Sequence, residues 1–142
     1  MSQFYEPEIT LLYCGRGLAE GEYLPEGTKK GNGFKSRFVM LACSCKVEPG
    51  YFIKLIEEGA DGVMLVVCPK DECQFMVGSV RAENRVKYAR SLLDEAGIES
   101  DRLGVVEGQN LSATEFMTFA EEMAKMVKPL GPNPMKSVKQ AV

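Results

Sequence analysis

The chain has 142 residues, 45% of them hydrophobic and 26% charged, with a net charge of −3 and a pI near 5.1. Such numbers describe one globular domain large enough to bury a core, and the acidic balance argues against nucleic acid as a main partner. No apolar run approaches the roughly 20 residues that cross a bilayer, so no membrane insertion is expected. The opening MSQFYEPE has neither a basic start nor an apolar stretch of the secretory kind, which makes the cytoplasm the expected location.

Residues 9–13, ITLLY, form a short apolar run into Cys14 and predict the first strand. Over residues 15–33 the pattern breaks down, with six glycines and Pro25 among charged residues. This stretch reads as an irregular loop where a parallel fold would ordinarily place a crossover helix. Residues 38–42, FVMLA, predict a second strand that runs into Cys43 and Cys45. Pro49 suits the first turn of a helix and Gly59 its stop, with Phe52, Ile53, Ile56 and Ala60 on one face.

The stretch 62–73, GVMLVVCPKDEC, is the most distinctive in the chain. Residues 63–67 are β-branched or long and apolar, as a central strand covered on both faces requires, and they lead straight to Cys68 and then Cys73. A helix over 82–96 follows, with Ala82, Val86, Ala89, Leu93 and Ala96 on its buried stripe and Gly97 at its end. Its other side carries Arg81, Arg85, Lys87 and Arg90, a cationic face of the kind usually left to solvent. Residues 103–106 predict a fourth strand. Ser112 and Glu115 form a capping box for a helix with Phe116, Phe119, Ala120, Met123 and Val127 on its inner face, halted at Pro129. The tail from Gly131 holds two prolines and few apolar residues, and is expected to be extended and to order only against a partner.

This order predicts an α/β fold, a flavodoxin-like parallel sheet of about four strands with flanking helices. The domain spans residues 1–128 and the extended tail 129–142.

Five cysteines cannot all pair as disulfides, and the chain has no histidine. The missing imidazole excludes Cys/His zinc fingers, Rieske clusters, Cys–His nucleophiles and Ser–His–Asp triads together. Twenty-eight residues separate Cys14 from Cys43, one separates Cys43 from Cys45, twenty-two Cys45 from Cys68 and four Cys68 from Cys73. Cys14, Cys43 and Cys68 nevertheless each follow a predicted strand, and parallel strands end on one rim about 5 Å apart. Thiolates gathered there can enclose an iron–sulfur cluster or a zinc ion. A cysteine commonly packs as a small hydrophobe, a reading that suits any one of the five positions but poorly suits all. The two-residue spacings of bacterial ferredoxins, zinc ribbons and thioredoxin are missing. There is no GxGxxG and no phosphate-loop lysine, so neither a nucleotide nor a flavin is expected. Asp61 fits a turn before the core strand rather than an acid/base pair with Asp71, and Lys70 would raise the potential of a nearby cluster.

CSCKVEP (residues 43–49), EEGADGVMLVVCPKDEC (57–73) and RAENRVKYARSLLDEAGIESDRL (81–103) resemble the delta subunit of methyl-viologen-reducing hydrogenase. The resemblance covers roughly residues 9–127 and implies a [2Fe-2S] cluster in an electron relay with no catalysis of its own. It implies partners as well: a heterodisulfide reductase A-like subunit that carries flavin and clusters, and a hydrogenase, formate dehydrogenase or other redox enzyme. Cys14, Cys43, Cys68 and Cys73 match family cysteines and are the ligands it implies. The family usually has several cysteines after the first strand, where this chain has Cys14 alone, and commonly glycine at the position of Cys45. Cys45 is therefore the reserve ligand. The readings to be distinguished from this one are a zinc-stabilised interaction module and a dithiol/disulfide protein using Cys43 with Cys45 or Cys68 with Cys73.

Overall fold

The structure, a computed structural model, describes residues 6–14, 19–21, 24, 28–30, 33–41, 48–67, 78–108 and 111–134. Strands β1 (Glu8–Cys14), β2 (Thr28–Lys30) and β3 (Lys35–Leu41) lead to helix α1 (Pro49–Glu57) and strand β4 (Gly62–Val67). Helix α2 (Gly78–Glu95), a 3-10 turn (Ser100–Arg102), strand β5 (Leu103–Glu107), helix α3 (Ala113–Val127) and a second 3-10 turn (Lys128–Leu130) complete the order. The sheet runs β2-β3-β1-β4-β5. Four strands are parallel, as expected, and β2 lies antiparallel on the edge of β3.

Alternation along each strand divides the core into two layers. On one face α1 and α2 cover Leu12, Val63, Leu65 and Val67. On the other, α3 covers Ile9, Leu11, Tyr13, Phe38 and Val66. Val63, Leu65, Val66 and Val67 are all buried, which is why β4 reads as an unbroken apolar run rather than an alternating one. Gly62 opens that strand where α3 crosses it: an added Cβ would lie 3.1 Å from Ile9 Cδ1 and 3.2 Å from Met123.

The helix signals take effect where expected. Pro49 opens α1, and Gly59 turns the chain out with a φ of +117°. Gly97 does the same after α2 at +81°, and the Ser112–Glu115 capping box is formed in both directions. Ala96 departs from expectation. It is exposed because α2 ends one residue earlier, and Ile98 fills the buried position instead. Strand β2 is a further departure, lying within the glycine-rich stretch that reads as an irregular loop. Three residues without apolar period give no strand signal; β2 is held by pairing Thr28–Lys30 with the edge of β3.

A buried polar clamp lies at the opposite end of the sheet from the strand exits. Asp61, Arg102 and Asn133 are at most 1% exposed. Asp61 accepts from the Glu8 amide through Oδ2 and from the Asn133 amide through Oδ1, each at 2.8 Å. The Arg102 Nη1 donates to the Asp61 carbonyl at 3.1 Å, its Nε to Glu99 at 2.8 Å, and its Nη2 to the Gly131 carbonyl at 2.8 Å. The Asn133 side chain donates to the carbonyls of Ile56 and Ala60. The tail expected to order only against a partner is thus bonded into the body for residues 131–133; residues 135–142 lie outside the described set.

Asn133→Ala leaves the carbonyls of Ile56 and Ala60 without this donor, and an expected loss of about 1–3 kcal/mol follows in urea unfolding. Burial raises the Glu99 carboxyl, but the Arg102 hydrogen bond, a backbone hydrogen bond and the guanidinium charge outweigh it and hold its pKa below the usual value. A folded value below the unfolded one contributes stability above the ordinary glutamate range and loses it as pH falls through the folded value. Urea midpoints of Glu99→Gln should therefore decline less than wild type between about pH 5 and pH 3.

Candidate metal centre

Parallel pairing carries the alignment set at the clamp up to the carboxyl rim. Cys14 is the last residue of β1 and stands opposite Leu41, the last residue of β3. Tyr13 stands opposite Val66, so β4 ends level with Cys14 at Val67. The sequence then places Cys43 two residues beyond β3 and Cys68 one residue beyond β4. Three neighbouring strands, spaced about 4.8 Å apart, thus lead at one level into Cys14, the CSC segment and Cys68. Cys43, Cys45, Cys68 and Cys73 themselves lie outside the described residues, as do Lys70 and Asp71. Among the described residues no group of three or more Cys, Asp or Glu is arranged to hold a metal ion.

Strand order gives the rim its second property. The chain leaves β1 for β3 on one side, then crosses back over β1 to build β4 and β5 on the other. The sheet therefore reverses its direction of growth between β1 and β4, and open α/β sheets bind their ligands in the crevice at such a switch point. The two strands that flank it are those ending at Cys14 and immediately before Cys68.

Directly under the rim the sheet is apolar. Tyr13 is buried against Phe116, ring centroids 5.1 Å apart, and Phe116 meets Phe119 edge-on at 6.5 Å. Burial raises the pKa of the Tyr13 phenol, which keeps it neutral. Val66 belongs to the same layer, and Leu12 and Val67 are buried on the opposite face of the sheet. Beside it, the Gly108 amide donates to the Val67 carbonyl at 2.8 Å and holds the exit of β5 against that of β4. The sequence marks Phe116 and Tyr13 as apolar positions of separate elements, and no local signal shows that they meet.

The chemistry of the donor set fits a thiolate-bound cluster. With no histidine in the chain, the cysteines that follow three adjacent strands in sequence are the donors to weigh, and four thiolates suit iron–sulfur clusters or zinc. A cavity of about 330 Å³, lined by Glu8, Lys35, Arg37 and Glu58 among others, lies at the far end of the strands and shares no residue with the rim. Asp61 is confirmed as a residue of the bend before β4, with the buried clamp role added to it. No helix among the described residues is long and apolar enough to cross a membrane.

Four parallel strands in an α/β sheet, with cysteines following adjacent strands in sequence at a topological switch point, define a small cysteine-bearing α/β protein. The chain belongs to the family described as methyl-viologen-reducing hydrogenase, delta subunit, whose family model matches residues 29–131. It is 40% identical over 101 residues to the vhu iron-sulfur subunit of the F420-non-reducing hydrogenase of Methanocaldococcus jannaschii, a match covering 71% of this chain and 75% of that one. It is 36% identical over 135 residues to the protein of the same name from Methanococcus maripaludis, covering 93% of this chain and 98% of the relative. A third likeness is of another kind. The A polypeptide of the ferredoxin/F420H2-dependent CoB-CoM heterodisulfide reductase of Methanosarcina acetivorans is 27% identical over 96 residues, which span 68% of this chain but only 12% of that protein.

Phe116→Ala empties the layer beneath the rim and should lower stability by about 3–5 kcal/mol, read as a shift in the urea midpoint at unchanged slope.

Proposed function

We propose that this chain is the electron-relay component of a hydrogenase–heterodisulfide reductase assembly, with a [2Fe-2S] cluster bound by Cys14, Cys43, Cys68 and Cys73. The observation that carries this reading is the common level at which β1, β3 and β4 end, across the switch point of the sheet. It supports a site built from cysteines far apart in sequence, since the strands that precede them end side by side. Cys45 lies two residues from Cys43 and serves as the reserve thiolate.

When bound, the cluster supplies one-electron acceptance and donation, and no bond of a substrate is made or broken. The work of the protein is to hold the thiolates and to set their surroundings. The strand ladders fix the spacing of the ligand-bearing segments. The apolar layer of Tyr13, Val66 and Phe116 excludes water from below, and desolvation of this kind disfavours added negative charge. Tyr13, being neutral, adds no charge of its own. The chain is on this reading a non-catalytic member of an oxidoreductase complex.

Partners are supported by the names and proportions of the relatives. Two are hydrogenase subunits, which supports a hydrogenase on one side. In the third, a stretch like this chain forms a small part of a heterodisulfide reductase A polypeptide, which supports a partner of that type on the other side. None of these three names a formate dehydrogenase, and that option is not carried forward.

Anaerobic purification should give a coloured protein with about two iron and two sulfide per chain and a one-electron EPR signal on reduction. Serine variants of Cys14, Cys43, Cys68 and Cys73 should each lose most of the iron, while Cys45→Ser retains it. A colourless protein with one zinc, or a metal-free protein with freely titrating thiols, overturns the cluster. Full iron content in both Cys14→Ser and Cys45→Ser overturns the ligand set.

A further inference from the structure

Helix α2 carries its charges in the order least favourable to itself. Its first turn holds no acidic residue and its last turn no basic one. Arg81, Arg85 and Lys87 lie in the first two-thirds and Arg90 just beyond, against one acid, Glu83, while Asp94 and Glu95 close the helix. The helix dipole favours the opposite arrangement, with anions at the start and cations at the end. Helix stability therefore does not account for the placement of these cations in an acidic chain.

Their position in the fold supplies an account. Helix α2 connects β4 to β5, which are parallel, so it runs back antiparallel to them and begins at the carboxyl rim. Its buried stripe of Ala82, Val86, Ala89 and Leu93 faces the sheet and α1. Arg81, Asn84, Lys87 and Tyr88 are turned outward and exposed, Tyr88 at 58%. Arg90, further from the rim, is engaged with Asp101 at 3.2 Å and with the Ser100 carbonyl. Arg81 and Lys87 make no ion pair among the described residues. An exposed tyrosine on the same face as Arg81, within about 15 Å of helix length from the rim, has the composition of a protein contact, and Lys87 adds charge to it.

We infer that the rim-proximal outer face of α2, centred on Arg81, Lys87 and Tyr88, is the docking surface for the acidic face of a neighbouring redox protein. The inference rests on the proposed relay and adds to it which face turns toward the partner and what charge that partner presents. Positive charge beside an electron port steers an acidic partner into an orientation that brings the two redox centres close, and the effect weakens as salt rises.

The test uses the full chain and a separately purified heterodisulfide reductase A-type protein of the same organism. Association rates are measured over a salt series for wild type, for Arg81→Glu/Lys87→Glu, and for Lys54→Glu/Lys125→Glu. The last pair lies on α1 and α3 toward the other end of the strands and changes the net charge equally. The expected result is an association rate roughly tenfold lower at low ionic strength, with a flattened salt slope, for the α2 variant alone. Tyr88→Ala should raise the dissociation rate with little change in association. Iron content and the absorption spectrum are recorded for each variant. Failure of wild type to bind, a rate without salt dependence, or equal losses in the two charge-reversal variants overturns the docking surface. Binding that follows the expected pattern in a chain without iron overturns the relay and leaves the surface standing.

Discussion

Asp61 fixes where β4 begins against β1. Its amide donates to the Glu8 carbonyl and its carboxylate accepts from the Glu8 amide, both at 2.8 Å, so the first residue of β1 is held from two directions. Every parallel pair above that point inherits the alignment, through Tyr13 opposite Val66. A slip of one residue would turn each side chain of β1 to the other face and exchange the two core layers. It would also move the ends of β1 and β4 out of level at the rim. A carboxylate at one end of the sheet thereby governs how the ends of β1 and β4, about 20 Å away, are aligned.

The carboxylate depends in turn on Arg102 and on a segment beyond the last helix. A buried guanidinium is tolerable when its donors are occupied, and here they are distributed over Glu99, the Asp61 carbonyl and the carbonyls of 130–132. Asn133 closes the arrangement by tying the end of α1 to the start of β4. Residues from four separate stretches therefore hold one buried charge cluster, and the chain as far as Asn133 belongs to the folded unit.

What was legible in the sequence follows from the range of the interactions involved. Local signals act within a turn or two: Pro49, Gly59, Gly97 and the Ser112–Glu115 box delimit helices through their own backbone preferences. The apolar run of β4 announces a strand covered on both faces because nothing else suits a run so nearly all buried. Long-range polar pairing leaves no such trace. Arg102 follows a stretch of charged residues, and nothing local distinguishes it from a solvated arginine. Asn133 lies between prolines in a stretch poor in apolar residues, so its burial depends wholly on Asp61, Ile56 and Ala60. Strand β2 is invisible for a related reason, since the open edge of β3 rather than its own side chains makes it a strand.

The rim shows the same division. That cysteines follow strands could be read from the apolar runs before Cys14, Cys43 and Cys68, and parallel direction followed from the alternation of strands and helices. Strand order could not, because β1, β3 and β4 would be parallel in any arrangement of the crossovers. The order β3-β1-β4 sets Cys14 on the middle strand and the other two segments on either side of it. Had β4 been laid outside β3, the segments after β1 and β4 would be separated by a further strand. A ligand set drawn from distant segments also differs physically from a compact cysteine motif. In the proposed site Cys14, Cys43 and Cys68 would each follow a different hydrogen-bonded strand of a close-packed core, which resists displacement when charge changes at the rim. The proposed relay would need that resistance, since nuclear motion accompanying each electron slows its passage.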